Sequence, residues 1–158
     1  MEKNKIRYKV LIVDDEKENC LLLTRMLRKN FETIYALSVE EALELLKKEE
    51  GIAVIITDMR MPGMYGDELL IQALQIQPLT VGIVITGYAD TNAGIKAINE
   101  GHAVAYLRKP FEKTTLMTHL STAINKYERK KMSLEMIERL RAVESNLKTT
   151  VMDILKKI

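Results

Sequence analysis

Five side chains spread along the chain have the types and spacing to do chemistry together. They are the carboxylates of Asp14, Asp15 and Asp58, the hydroxyl of Thr86 and the amine of Lys109. Apolar runs lead into them: VLIV before Asp14, AVIIT before Asp58, GIVI before Thr86 and AYLR before Lys109. A carboxylate at the end of a buried segment is costly unless something pairs with it. Three carboxylates crowded together repel one another and partly protonate without a counter-charge. A hard divalent cation resolves that conflict. Carboxylate, carbonyl and water oxygens suit Mg2+, which keeps several waters and takes one or two carboxylates directly. Lys109 adds a second, compact positive charge. A metal and a lysine around one carboxylate form a cradle for a phosphoryl group. Asp58 is then placed to attack phosphorus as a nucleophile, giving an aspartyl phosphate. The two cations stabilise charge on the transferring oxygens, and the Thr86 hydroxyl can hydrogen-bond one of them.

For these residues to meet, the runs before them must be neighbouring strands. Continuous Val- and Ile-rich runs predict strands over 9–13, 32–36, 52–57, 80–86 and 103–107. Apolar residues at spacings of three and four predict helices over 17–30, 38–48, 66–76, 90–100 and from 112 to the end. Ser38 and Glu41 read as a capping box, and Gly51 and Gly101 as helix stops. Strands alternating with helices imply an α/β fold, with a five-stranded parallel sheet covered on both faces. Right-handed crossovers leave few topologies, and ligands sit beyond the carboxyl ends of the strands. All five reactive side chains fall at that edge. Taken singly, each has a plainer reading. Asp14 and Asp15 would cap a helix, Asp58 a loop before Pro62, Thr86 would end a strand, and Lys109-Pro110 would be ordinary surface. Their joint placement at one edge is what argues for a site.

The bulk properties exclude several classes. The chain has 158 residues, 47% of them hydrophobic, which suits one globular domain with a short appendage. With 24 basic and 22 acidic residues the net charge is +2, too balanced to argue for nucleic acid or an acidic membrane surface. No apolar run approaches the ~18–20 residues that span a bilayer, and the apolar stretch near the N-terminus is too short for a signal peptide. The expectation is a cytoplasmic protein. Cys20, the single cysteine, sits among leucines and reads as a small buried hydrophobe. His102 and His119 read as packing or surface residues, since His119 lacks the flanking residues of a kinase phosphohistidine.

The segments VLIVDDE (10–16), IITDMRMPGMYG (55–66), ITGYAD (85–90) and YLRKPF (106–111) resemble the receiver domain of two-component response regulators, over roughly residues 7–125. The resemblance implies a doubly wound, flavodoxin-like receiver fold with Asp58 as phosphoacceptor and a sensor histidine kinase as partner. It implies Mg2+ held by Asp14, Asp15, Asp58 and the backbone carbonyl of Arg60, with Asp14 acting largely through water. It places Lys109 on the phosphoryl group, expects a cis Lys109-Pro110 bond, and matches Thr86 and Tyr106 to the family's switch pair. In that pair the threonine moves toward the phosphoryl group and the aromatic ring follows, changing the surface of the fourth helix, fifth strand and fifth helix. Such a domain modifies itself and is not an enzyme acting on a separate substrate. The stretch GHAVAYLRKPF is one residue longer than in many receivers and is similar to receivers fused to cyclic-dinucleotide phosphodiesterases. Arg60 and Tyr88, two residues beyond Asp58 and Thr86, are large and expected to hinder attack by water on the phosphorylated form.

The last stretch, 126–158, carries no strand signal. Leu140, Leu147 and Ile154 fall on one heptad position, and Ile137, Val151 and Ile158 on another, with Glu144 interrupting the second series. This is a short coiled-coil pattern. It predicts a helical extension of the domain that forms a parallel homodimer, with an amphipathic helix folded back on its own domain as the alternative. No output domain is expected within it. Two rival functions stand beside the switch. A haloacid-dehalogenase-like phosphatase also uses aspartyl phosphate, Mg2+, Thr or Ser and Lys, but carries its nucleophile on the first strand with a second Asp two residues later. Here Glu16 and Arg60 occupy the positions two beyond Asp14 and Asp58. A passive, receiver-like interaction module would have no need of the intact acidic and basic set.

Overall fold

The computed structural model describes residues 7–87 and 91–158. Its elements, in chain order, are β1 (Lys9–Val13), α1 (Lys17–Leu27), β2 (Glu32–Ala36), α2 (Val39–Lys48), β3 (Ile52–Asp58), α3 (Gly66–Ile76), β4 (Val81–Thr86), α4 (Thr91–Asn99), β5 (Ala105–Arg108) and α5 (Lys113–Lys156). The five strands form one parallel sheet in the order β2-β1-β3-β4-β5. This is the doubly wound receiver fold. Alternation along each strand divides the core between two faces. Val10, Ile12, Val54, Ile56, Ile83 and Ile85 join Leu23, Leu27, Leu116 and Leu120 from α1 and α5. Leu11, Val13, Ile55 and Val84 join Leu46, Leu69, Leu70 and Ala97 from α2, α3 and α4. Because β1, β3 and β4 are buried on both faces, their sequences run apolar without a break until the carboxyl edge.

Several local signals act as expected. The Ser38 hydroxyl accepts from the Glu41 N–H at 3.1 Å, while the Glu41 carboxylate accepts from the Leu37 N–H at 3.1 Å. α1 is shorter than its periodicity suggests: it ends at Leu27, and residues 28–30 form a turn in which Asn30 N–H donates to Leu27 O at 3.0 Å. β5 begins two residues later than expected. Ala103 N–H donates to Ala97 O at 3.2 Å, so the chain is still bound to α4 there. A short antiparallel hairpin, Arg60–Met61 with Met64–Tyr65, was not legible from periodicity. Gly63 turns it at φ +84°, a conformation that disfavours any residue with a Cβ.

Close packing divides the chain into two units, Met1–Tyr127 and Glu128–Ile158. In the first, Tyr127 packs edge-on against Tyr8, with ring centroids 6.2 Å apart. The second is helical, and every residue from 131 to 158 is exposed, including Ile137, Leu140, Leu147, Val151, Ile154 and Ile158. Glu144 and Lys148 pair at 3.1 Å on its surface. No described helix is long and apolar enough to cross a membrane.

One polar side chain joins three elements. The amide nitrogen of Gln77 donates to Leu46 O at 2.7 Å and to Glu49 O at 2.6 Å, at the end of α2. Its amide oxygen accepts from Ile52 N–H at 3.1 Å, at the start of β3. Gln77→Ala leaves all three backbone groups without this partner. The expected cost is about 2–3 kcal/mol, read from the urea midpoint. A loss below about half a kcal/mol would show that water replaces the amide without penalty.

Candidate functional site

The parallel register delivers the reactive side chains to one edge. Asp14 follows β1, Asp58 ends β3 opposite Ile85, Thr86 ends β4 opposite Arg108, and Lys109 follows β5. Carboxylate oxygens of Asp14, Asp15 and Asp58 lie within 4.8 Å of one another. Asp14 is buried, Asp58 half-buried and Asp15 exposed. The Lys109 ammonium reaches between the first two, 3.4 Å from Asp14 Oδ2 and 3.9 Å from Asp58 Oδ2. Its own N–H donates to Thr86 O at 2.8 Å, tying the end of β5 to the end of β4. The Lys109-Pro110 peptide is cis.

Asp14 is held on every side. Its Oδ1 accepts from Glu16 N–H at 2.9 Å, and its Oδ2 accepts from the Asn19 amide at 3.2 Å as well as from Lys109. Asn19 escaped the sequence reading. The available signal was a lone amide on the first turn of an otherwise apolar helix face, five residues after Asp14. Asp58 is less well satisfied. Burial pushes its carboxyl above the usual carboxylate range. Lys109 opposes that rise, Asp14 adds to it, and the N–H groups of Arg60 and Met59 pull it down. The Arg60 N–H donates to Asp58 Oδ1 at 3.4 Å. An anionic Asp58 is therefore short of positive charge, which suits a hard cation among these three carboxylates.

The loop after Asp58 has a steric reason for its last glycine. A Cβ at Gly66 would run into the Asp58 carbonyl oxygen and come within 3.1 Å of Thr57 Cγ2. The Gly66 N–H donates to Met59 O at 2.7 Å, so α3 starts against the end of β3. Arg60 is exposed and pairs with Tyr65 in the hairpin. Tyr106 lies on β5, opposite Val84, with its ring against α4. Tyr88, and the expected first residue of the fourth helix at Asp90, lie outside the described residues. Cys20 is buried below the site. Burial and the Asp14 charge push its thiol up to about 11, so it stays protonated and inert. His102 and His119 stand in the turn before β5 and on α5, apart from the carboxylates.

A family model for the response regulator receiver domain matches residues 10–121. Over 115 residues the chain is 36% identical to the hydrogenase transcriptional regulatory protein HoxA of Cupriavidus necator, a match covering 73% of this chain and 24% of HoxA. The chain thus spans about a quarter of that relative's length. Among solved structures, a response regulator receiver domain protein from Clostridium thermocellum is 35% identical with a TM-score of 0.72, covering 79% of this chain and 98% of that one. A chain described as adenylate cyclase from Rhodopirellula baltica is 32% identical with a TM-score of 0.80, covering 84% of this chain and 98% of that one.

The raised carboxyl of Asp58 has a consequence for stability. Below the unfolded pKa the acid is protonated in both states and costs nothing. As pH rises through the higher folded value, ionisation costs the folded chain more than the unfolded one. In metal-free neutral buffer, Asp58→Asn should melt a few degrees above the parent, and calorimetry should show the gap closing in acid. A gap that is absent at neutral pH, or that persists unchanged in acid, would contradict this account of the Asp58 charge.

Proposed function

This chain belongs to the response regulator receiver domain family of two-component systems, and from that premise we propose that it is a phosphorylation-controlled switch with Asp58 as its acceptor. A carboxylate oxygen of Asp58 attacks the phosphorus of a sensor kinase's phosphohistidine. The new bond is O–P, the broken bond is P–N, and the electron pair returns to the kinase imidazole. The Lys109 ammonium, now shared with Asp14, turns to the phosphoryl oxygens, and the Thr86 hydroxyl donates to one of them. Asp14, Asp15, Asp58 and the Arg60 carbonyl would hold Mg2+, which supplies charge for the phosphoryl oxygens and relieves the repulsion among the acids.

The single observation that carries this reading is the position of Lys109, whose ammonium lies 3.4 Å from Asp14 and 3.9 Å from Asp58 at the ends of three different strands. A passive module would not need that convergence. The phosphatase alternative is disfavoured because the central acid, Asp58, ends the third strand and is followed two residues later by Arg60. The chain therefore works as a self-modifying switch in the cytoplasm and not as an enzyme with a released product. Its signal passes through a changed surface of α4, β5 and α5. The exposed heptad residues of 137–158 form a parallel homodimer with a second copy, and neither nucleic acid nor membrane contacts this segment.

The test is phosphoryl uptake from a small-molecule donor, followed by intact mass and by sedimentation. The parent should gain one phosphoryl group with Mg2+ and none with chelator, and Asp58→Asn should gain none. It should sediment as a dimer at micromolar concentration, and Leu140→Glu with Leu147→Glu as a monomer. Steady hydrolysis of a phosphate ester would favour the phosphatase, and no uptake the passive module. A parent that stays monomeric would remove the dimer and leave the switch standing.

A further inference from the structure

The Tyr106 ring occupies a place that only a bare backbone leaves open. Tyr106 sits on β5 opposite Val84, two residues before the register pair of Thr86 and Arg108 at the sheet edge. Its ring packs with the core residues beneath α2, α3 and α4. Gly94 lies on the buried face of α4, and a Cβ there would overlap the ring, coming within 2.6 Å of its Cγ and 2.5 Å of its Cε2. The Tyr106 hydroxyl is buried and, among the described residues, has no hydrogen-bond partner. A polar bond therefore does not pin the ring. The shape of its surroundings does, and the unpaired hydroxyl opposes the arrangement.

We propose that Gly94 is a positioning residue for the switch: its missing side chain admits the Tyr106 ring to a seat between α4 and the sheet and sets the balance between seated and outward rings. The inference rests on the phosphorylation reading above. If a phosphoryl group on Asp58 draws Thr86 toward itself and favours the seated ring, linkage works in both directions. Filling the seat must then oppose phosphorylation, by up to the factor with which the phosphoryl group favours the seated ring. Alanine is the better helix former, so any loss in Gly94→Ala does not come from a weakened α4.

The experiment uses the full chain labelled with 3-fluorotyrosine, with the Tyr106 resonance assigned through Tyr106→Leu. Fluorine NMR reads the solvent exposure of the ring, and intact mass reads Mg2+-dependent phosphoryl uptake. In Gly94→Ala the resonance should move to an exposed environment, and the phosphorylated-to-free ratio reached at a fixed, limiting donor concentration should fall by about fivefold or more. In a Tyr106→Leu background the same substitution should change that ratio by less than about twofold, because the overlapping ring is gone. That double variant also guards against a folding failure: a Gly94→Ala chain that unfolds and is rescued by Tyr106→Leu identifies the same overlap. A ring that stays buried in a folded Gly94→Ala chain would overturn the seat. An exposed ring with undiminished uptake would overturn its coupling to the site. A parent that takes up no phosphoryl group would overturn the switch reading itself, with the NMR arm still judging the seat.

Discussion

The structure depends on negative charge gathered where it is least comfortable. Three aspartates share one edge of a sheet, and the one at its centre ends a strand whose other residues are fully buried. Lys109 is the cation that makes this tolerable, and it arrives from the far side of the sheet. Its contacts with Asp14 and Asp58 bind the ends of β1, β3 and β5, and its backbone N–H binds β4 as well. The balance is incomplete by design of the geometry. Asp14 is surrounded by donors, whereas Asp58 is left with two backbone N–H groups and a share of one ammonium. Of these two, Asp58 is thus the acid more in need of further positive charge, and it keeps carboxylate oxygen free for chemistry.

The fold exists to hold that edge. Strands buried on both faces cannot slip without moving a row of Val and Ile side chains from one core to the other. The register that places Asp58 beside Ile85 and Thr86 beside Arg108 is therefore set by apolar packing far from the charges. Close approaches finish the placement. Gly66 lets α3 begin against the Asp58 carbonyl, and Gly94 leaves room for the Tyr106 ring. Both glycines act through what they lack.

Much of this was legible in the sequence, for a physical reason. Doubly buried strands read as unbroken apolar runs, so a polar residue closing such a run announces the carboxyl edge. Asp14, Asp58, Thr86 and Lys109 all declared themselves in that way, and the structure brings them to one edge. What stayed hidden depends on partners remote in sequence. Gln77 looks like an ordinary helix end until α2 and β3 are placed beside it. Asn19 acquires meaning only when Asp14 faces it. The hairpin after Asp58 is two residues per strand, too short for any period to show. Gly94 resembles any weak point in a helix until the Tyr106 ring lies across it.

The central claim is that Asp58, and neither of its acidic neighbours, takes the phosphoryl group. Borohydride reduction of the phosphorylated chain converts an aspartyl phosphate to homoserine, and peptide sequencing by mass spectrometry then locates it. Homoserine is expected at position 58 alone, with Asp14 and Asp15 unchanged. Homoserine at position 14 or 15, or a phosphorylated chain with none at 58, would contradict it.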